Sequence, residues 1–334
     1  MMLAYKTTAL LSAGIELGVF DCLAGGPAGA GEVAGKLDLD ERATRLVLNA
    51  LAAMRLLESD GESYQLSEGA AGHLVRGQSG YVGDMAKVMA SSWEWDALRR
   101  LPEAVRHGGT VLREHAESPG YEYWEDFAAF VGAVAAPTAQ EAAAALAPWA
   151  SARERLHVLD MACGHGLYGF TFALRQPRAR VWSLDWPNVL PIAREHARRL
   201  GVADRMSPIA GDMFQVPLGG PYDVVFITNV LHHFSEERGT ELLRRARGAM
   251  APGGRVVLVG FTVDEGPPAA DPAPHLFSIL MLVWTTRGEV HSFRAYERML
   301  AAAGFSDASL RLVPSLPLRV IVARNSGDNG GGDG

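Results

Sequence analysis

The stretch Val158-Leu159-Asp160-Met161-Ala162-Cys163-Gly164-His165-Gly166 constrains this chain more than any other segment. An apolar run that ends in an acid and opens into small residues reads as a buried strand, a tight loop and the start of a helix. Small residues let the backbone approach a ligand closely, and the first such turn of a doubly wound sheet is where ligands sit. A lone Gly-x-Gly also fits an ordinary turn, so the weight rests on context. From residue 157 onward, short apolar runs at 157–159, 180–184, 206–209, 223–228 and 255–261 alternate with helical patterns near 168–174, 189–200, 236–250 and 293–303. That alternation predicts a parallel sheet with helices on both faces. Two closing runs, 310–313 and 318–323, are joined by a short proline-containing link and predict an antiparallel hairpin. The expected fold class is α/β: a Rossmann-like, doubly wound, mostly parallel seven-stranded sheet with an antiparallel last strand, plus an N-terminal helical domain.

The loop's surroundings narrow the ligand. About twenty residues on, the second strand ends in Asp185, where an acid hydrogen-bonds ribose hydroxyls. After the third strand comes Gly211-Asp212-Met213-Phe214, an acid and a flexible apolar side chain suited to an adenine amine and face. A pyrophosphate calls for a full Gly-x-Gly-x-x-Gly and no acid beside it; Ala162 and Asp160 break that pattern. The expected ligand is an adenosine compound without phosphate.

With 334 residues the chain has room for two cored domains. Residues 1–90 read as helix (9–20), a Gly25-Gly26-Pro27 break, helix (32–37), a helix capped by Asp40 and running through Leu57, then a hairpin around Gly61 formed by 56–58 and 64–66. This is a winged-helix arrangement. Residues 91–150 are expected to be linking helices that help form a substrate pocket, 151–324 the ligand-binding domain, and 325–334 a disordered Gly/Asn/Asp-rich tail. DNA is an unsuitable partner for the winged helix: residues 1–90 hold seven Lys/Arg against eleven Asp/Glu, and the whole chain carries −7. The longest uncharged run, 272–286, falls short of the ~18–20 residues that span a bilayer, and the N-terminus, interrupted by Lys6 and Glu16, reads as an amphipathic helix and not a signal peptide. Two cysteines, Cys22 and Cys163, make neither a disulfide framework nor a zinc site, so a reduced, cytoplasmic protein is expected.

Leu159-Asp160 through Gly166, Asp185, Gly211-Asp212-Met213-Phe214, Leu231-His232-His233-Phe234-Ser235-Glu236, Pro252-Gly253-Gly254-Arg255 and Ala303-Gly304-Phe305 form an ordered set. In that set the chain resembles the class I S-adenosylmethionine-dependent methyltransferases, specifically the small-molecule O-methyltransferases with an N-terminal dimerisation domain (the plant-type and acetylserotonin-type branch). The resemblance implies S-adenosylmethionine as cofactor, held by Asp160, Gly164, Gly166, Asp185, Asp212 and Met213, and a homodimer built through the first domain. It implies His232 as the general base that takes the acceptor's proton, a role an imidazole suits near neutral pH; His233 is expected to face the neighbouring helix. Two acids that support the base in plant-type relatives fall here at Gly260 and Val290, with Asp264, Glu265 and Glu289 as candidate replacements. Trp93, Phe127, Phe277 and Met281, among the aromatic and Met-rich segments that also contain Trp95, Phe130 and Trp284, are the expected acceptor contacts and favour a flat, apolar acceptor such as a phenol or polyketide ring. No metal is expected. One alternative is a C-methyltransferase of an enolisable keto acid, with a metal at His232, His233 and His291; another is a non-catalytic, ligand-binding winged-helix regulator.

Overall fold

The structure, a computed structural model, describes residues 3–130, 132–263, 266–314 and 316–327. The chain divides into two compact units, Met1–Trp95 and Asp96–Gly334.

In the first unit, helices Ala4–Glu16, Val19–Leu23, Ala30–Leu37 and Glu41–Ala53 precede an antiparallel pair of short strands, β1 (Leu57–Ser59) and β2 (Tyr64–Leu66). Gly18, at φ 77°, splits the expected first helix in two, because its left-handed backbone ends one helical run and starts the next. Asp40 caps the longest of these helices as expected, accepting from the Ala43 N–H at 2.8 Å. That helix stops at Ala53, before the expected Leu57, because Arg55 turns left-handed at φ 59°. Leu48 and Leu51, three residues apart on one helical face, are fully buried with Phe20 and Val33 in this unit's core.

The second unit carries β3 (Leu156–Met161), β4 (Ala179–Asp185), β5 (Met206–Ala210), β6 (Tyr222–Thr228), β7 (Met250–Phe261), β8 (Phe305–Leu312) and β9 (Leu318–Asn325). They form one sheet in the order β5-β4-β3-β6-β7-β9-β8. β3 to β7 pair in parallel, and β9 lies antiparallel between β7 and β8. The seven-stranded, mostly parallel sheet with an antiparallel last strand is therefore the fold found. Period-two alternation builds two apolar layers. Leu159, Val225 and Leu258 face one core, closed by Leu242, Leu243 and Met299 of the helices Glu236–Gly248 and Phe293–Ala302. Val158, Val224 and Val257 face the other, closed by Leu146, Phe170 and Phe172 of the helices Gly132–Ser151 and Leu167–Arg175. Each such side chain contributes roughly 1.5–3 kcal/mol of burial.

The strand order reverses at β3, with β4 on one side and β6 on the other. Crevices at the carboxyl ends of such a pair are the binding positions of this architecture. Three local expectations change. β7 starts at Met250, not 255, because Tyr222 pairs with Met250 before the register slips across Pro252-Gly253-Gly254 to Val224–Arg255. β8 starts at Phe305, before the expected 310. Asn325 is not tail: it ends β9, buried, its amide donating to the Ala251 carbonyl at 3.1 Å and its oxygen accepting from Arg247 Nε at 3.2 Å. Residues 328–334 of the expected tail lie outside the described residues. Among the described residues no helix is long and apolar enough to cross a membrane.

Candidate active site

The loop that leaves β3 holds Ala162, Gly164 and Gly166 at φ 52°, 55° and 78°. A left-handed alanine costs of order 1 kcal/mol, so the surrounding structure must enforce it. Asp185 at the end of β4 does so: one carboxylate oxygen accepts from the Gly164 N–H and the other from the Trp186 N–H, both at 2.7 Å. Gly166 caps the helix Leu167–Arg175, and a Cβ there would overlap the Phe170 ring. One turn on, the Gly169 N–H donates to Asp160 Oδ2 at 3.0 Å. The other oxygen, Oδ1, is buried and has no partner among the described residues. Burial is the main cause that pushes the Asp160 pKa up to about 8, reinforced by the Asp185 charge and opposed by the Gly169 hydrogen bond. Burial likewise lifts Asp185 to about 6 against its two backbone hydrogen bonds.

A cavity of about 210 Å³ opens at these strand ends. Gly164, Asp185, Asp212, Met213 and Phe127 line it, so the fold brings five of the expected residues together. Asp160 and Gly166 do not line it but fix the loop from behind. Phe277 and Met281 lie on the helix Pro272–Trp284, apart from the lining, and Trp93 falls in the first unit and is not among the lining residues.

Both histidines of the turn Leu231–His233, just past β6, are buried. His233 faces a neighbouring helix, stacked on Trp124 of the helix Tyr123–Phe130 at 5.3 Å between ring centroids and 28° between planes, and it also lines the cavity, which the sequence did not show. Burial lowers its pKa to about 4. His232 is not among the lining residues; its ring meets His233 and Phe277 edge-on, each at 4.9 Å. Burial first, then the charges of His233 and His291, holds His232 well below the ordinary histidine pKa, so both rings are neutral at pH 7. His291 donates its Nε2–H to the Phe234 carbonyl at 3.0 Å. Among the described residues no cluster of three or more His, Cys, Asp or Glu is placed to hold a metal.

The two positions where acids were expected look different. A Cβ at Gly260 would stand 3.5 Å from His232 Nδ1, while Val290 is buried, its N–H donating to Ser278 Oγ at 2.9 Å. Of the candidate replacements, Glu289 is exposed, and Asp264 and Glu265 lie outside the described residues.

Sequence reasoning missed part of the cavity wall. Asn229, at φ 53°, donates its backbone N–H to the Val259 carbonyl at 2.7 Å and its side chain to the Tyr168 hydroxyl at 3.5 Å; both side chains line the cavity. Asparagine, a residue that tolerates the left-handed region, at the end of a strand was the available signal. Phe214 and Phe234 meet edge-on at 5.1 Å, and the Arg238 guanidinium lies 3.6 Å over the Phe214 ring.

Comparison with known proteins gives matches along nearly the whole chain. A family model described as an O-methyltransferase domain matches residues 142–306, and one described as an O-methyltransferase dimerisation domain matches residues 1–76. The chain is 31% identical over 310 residues to the tetracenomycin polyketide synthesis 8-O-methyl transferase TcmO of Streptomyces glaucescens, covering 92% of this chain and 89% of that one. It is 29% identical over 346 residues to the acetylserotonin O-methyltransferase of Mus musculus, covering 98% and 87%. Among solved structures, a putative O-methyltransferase from Nostoc punctiforme superposes with a TM-score of 0.89 at 34% identity, covering 97% of both chains. Human N-acetylserotonin methyltransferase, solved in complex with SAM, shares the fold at a TM-score of 0.82 and 23% identity, covering 97% and 95%.

Proposed function

Because this chain belongs to the O-methyltransferase family, whose members take their methyl group from S-adenosylmethionine, we propose that it methylates a hydroxyl of a small aromatic or polyketide-like metabolite and works as a homodimer. The observation that carries the reading is the run of acids at three successive strand ends, Asp160, Asp185 and Asp212, about a cavity edged by the β3 loop. The Asp185 carboxylate, charged at pH 7, repels phosphate and suits free ribose hydroxyls, and a run of acids suits a ligand with an ammonium group. The unpartnered Asp160 Oδ1 is a buried polar atom in want of a partner, and the residues present therefore fit S-adenosylmethionine. Asp185 would hold the ribose hydroxyls, Asp212 and Met213 the adenine, and Gly164 with Asp160, whose grip on Gly169 sets the loop, the amino-acid end. Gly166 shapes that loop.

When bound, the cofactor supplies an electrophilic methyl group. The protein's part is to orient the acceptor, exclude water and remove a proton. His232 is the proposed base: a neutral imidazole in an apolar shell, with its unshared pair free at pH 7. Phe127, Trp124 and His233 from the cavity wall, with Phe277 beside His232 and Met281 on the same helix as Phe277, are the proposed acceptor surface. Their aromatic character favours a flat ring over a charged or sugar-like acceptor. The first unit carries exposed apolar side chains, Leu3, Tyr5, Leu46 and Met54, suited to pairing with a second copy. With a small diffusible acceptor and an acidic surface, the enzyme is proposed to act in the cytoplasm, away from nucleic acid and membranes.

The test couples calorimetry to turnover. S-adenosylmethionine and S-adenosylhomocysteine should both give binding heat. His232→Gln should keep that affinity within about twofold while kcat on an accepted phenol falls roughly 10²–10⁴-fold, the range of general-base contributions. No heat with either nucleoside would remove the reading; full activity of the variant would remove the base assignment.

A further inference from the structure

We propose that Gly260 makes this enzyme selective for acceptor hydroxyls that ionise readily, because it places no carboxylate behind the base, whose rear nitrogen has no partner among the described residues. The inference rests on the reading of His232 as that base.

His232 Nδ1 is wholly buried and has no hydrogen-bond partner among the described residues. A histidine that takes a proton at one nitrogen works best when the other donates to a carboxylate or carbonyl, which fixes the tautomer and stabilises the imidazolium that forms. Here no described group stands within hydrogen-bond reach of Nδ1, and the neighbours placed about the ring offer no carboxylate. His233, on the same turn, and Phe277, from the helix Pro272–Trp284, present ring edges or faces at 4.9 Å. His291, just before the helix Phe293–Ala302, spends its Nε2–H on the Phe234 carbonyl. Tyr296, on that helix, is buried, and its phenol is held protonated far above neutral pH. β7 contributes Gly260, whose absent Cβ would stand 3.5 Å from Nδ1 and 3.8 Å from the Tyr296 hydroxyl. On β9, Arg319 is the cross-strand neighbour of Gly260; it donates to the Leu316 and Leu318 carbonyls and pairs with Asp271 at 3.8 Å.

An imidazolium formed at His232 would therefore have no anion at its rear nitrogen among the described residues. Proton transfer to such a base is uphill for an ordinary phenol, which ionises near 10, and further uphill for an alcohol. It becomes favourable as the acceptor is acidified, for instance by a carbonyl or nitro group conjugated with its ring. In the transfer itself the acceptor O–H bond breaks, its proton goes to His232 Nε2, and the oxygen's electron pair forms the new O–CH₃ bond as the methyl–sulfur bond breaks and its pair stays on sulfur. The substrate class assigned is thus the electron-poor phenols and vinylogous acids.

Gly260 lies outside the left-handed region, and contacts of 3.5 and 3.8 Å are ordinary ones, so small side chains fit there. The experiment measures kcat/KM at pH 7.5 with saturating S-adenosylmethionine for 1-naphthols carrying nitro, acetyl, chloro or hydrogen at position 4. Wild type should fall at least tenfold from the nitro to the unsubstituted compound. Gly260→Ala, which fills the space without charge, should keep that slope. Gly260→Asp should flatten it and raise the rate on unsubstituted 1-naphthol roughly 10- to 100-fold, the usual weight of a partner behind a working histidine, with the heat of S-adenosylmethionine binding unchanged in both. Equal rates across the series, no turnover of the acidic members, or a Gly260→Asp variant that slows every member alike overturns the inference. His232→Gln is run on unsubstituted 1-naphthol: full activity there sinks the base itself, a failure distinct from that of Gly260.

Discussion

Replacing Asp160 by Asn should change how the stability of the enzyme depends on pH. The carboxyl is fully buried, has one hydrogen bond, from Gly169, and its pKa is pushed from 3.8 to about 8. A folded pKa above the unfolded one means that the native state holds the proton more tightly. The neutral side chain's full contribution is present below about pH 4, and it is lost progressively as pH rises through about 8. Each unit of pH inside that window costs the wild type up to ~1.4 kcal/mol, so between pH 5 and pH 8 it should lose roughly 3–4 kcal/mol through this one group. Asn keeps an acceptor for the Gly169 N–H and cannot ionise. Its buried NH₂ carries a desolvation cost of about 1–3 kcal/mol, but that cost does not vary with pH and cancels from the slope. Urea unfolding of both proteins without cofactor at pH 5, 6, 7 and 8, followed by tryptophan fluorescence, reads the difference directly. The variant's stability relative to wild type should rise steadily across the series; a difference that stays constant from pH 5 to 8 would falsify the assignment of a buried, neutral acid. Cofactor affinity should move the opposite way, weakening roughly 10- to 100-fold, because a charge-assisted hydrogen bond worth about 1.5–3 kcal/mol is lost. Stability surrendered by the empty protein is thus tied to binding.

Two further outcomes follow from local geometry. Gly166→Ala forces a side chain into a left-handed backbone and onto the Phe170 ring, and should cost at least ~1–3 kcal/mol in thermal unfolding together with most S-adenosylmethionine binding; an unchanged melting curve with normal binding heat would refute the strain argument. Leu46→Glu and Met54→Glu, at exposed apolar positions of the first unit, should convert a dimer to monomers by light scattering while circular dichroism stays native; a dimer that persists at low micromolar concentration would place the interface elsewhere.

Much of this molecule was readable before any coordinates. The short apolar runs that hold Val158-Leu159 and Val224-Val225 announced strands because both faces of each must meet a helical layer. Asp40 was readable because a carboxylate just before a helix has one obvious use, to accept a backbone N–H; Asp185 was readable by its place at a strand end, but its grip on the Gly164 and Trp186 N–H groups was not. The turn after β6 was not. His232 and His233 are consecutive in a single 3₁₀ turn, where neither a period of two nor one of 3.6 says which ring faces the cavity; the outcome depends on Trp124, more than a hundred residues earlier. The acceptor wall was hard to assign for a related reason. Aromatic residues at helical spacing serve a core and a pocket equally, and so Phe127 lines the cavity while Met281, buried on the helix Pro272–Trp284, is not among its lining residues. The early start of β7 and the burial of Asn325 share one origin, since the slip at Gly253-Gly254 and the last residue of β9 meet through the Ala251 carbonyl.

The position of β9 also sets a schedule for synthesis. The strand beside β7 is supplied by residues 318–325, so while the ribosome is still working through residue 317 the β7 edge bearing Gly260 has nothing to bond to, and β8 has no partner on either side. A nascent or prematurely stopped chain thus offers an open row of amides and carbonyls of the kind that recruits other chains into aggregates. Closing the sheet and seating the strand behind the base are one event, and it comes late.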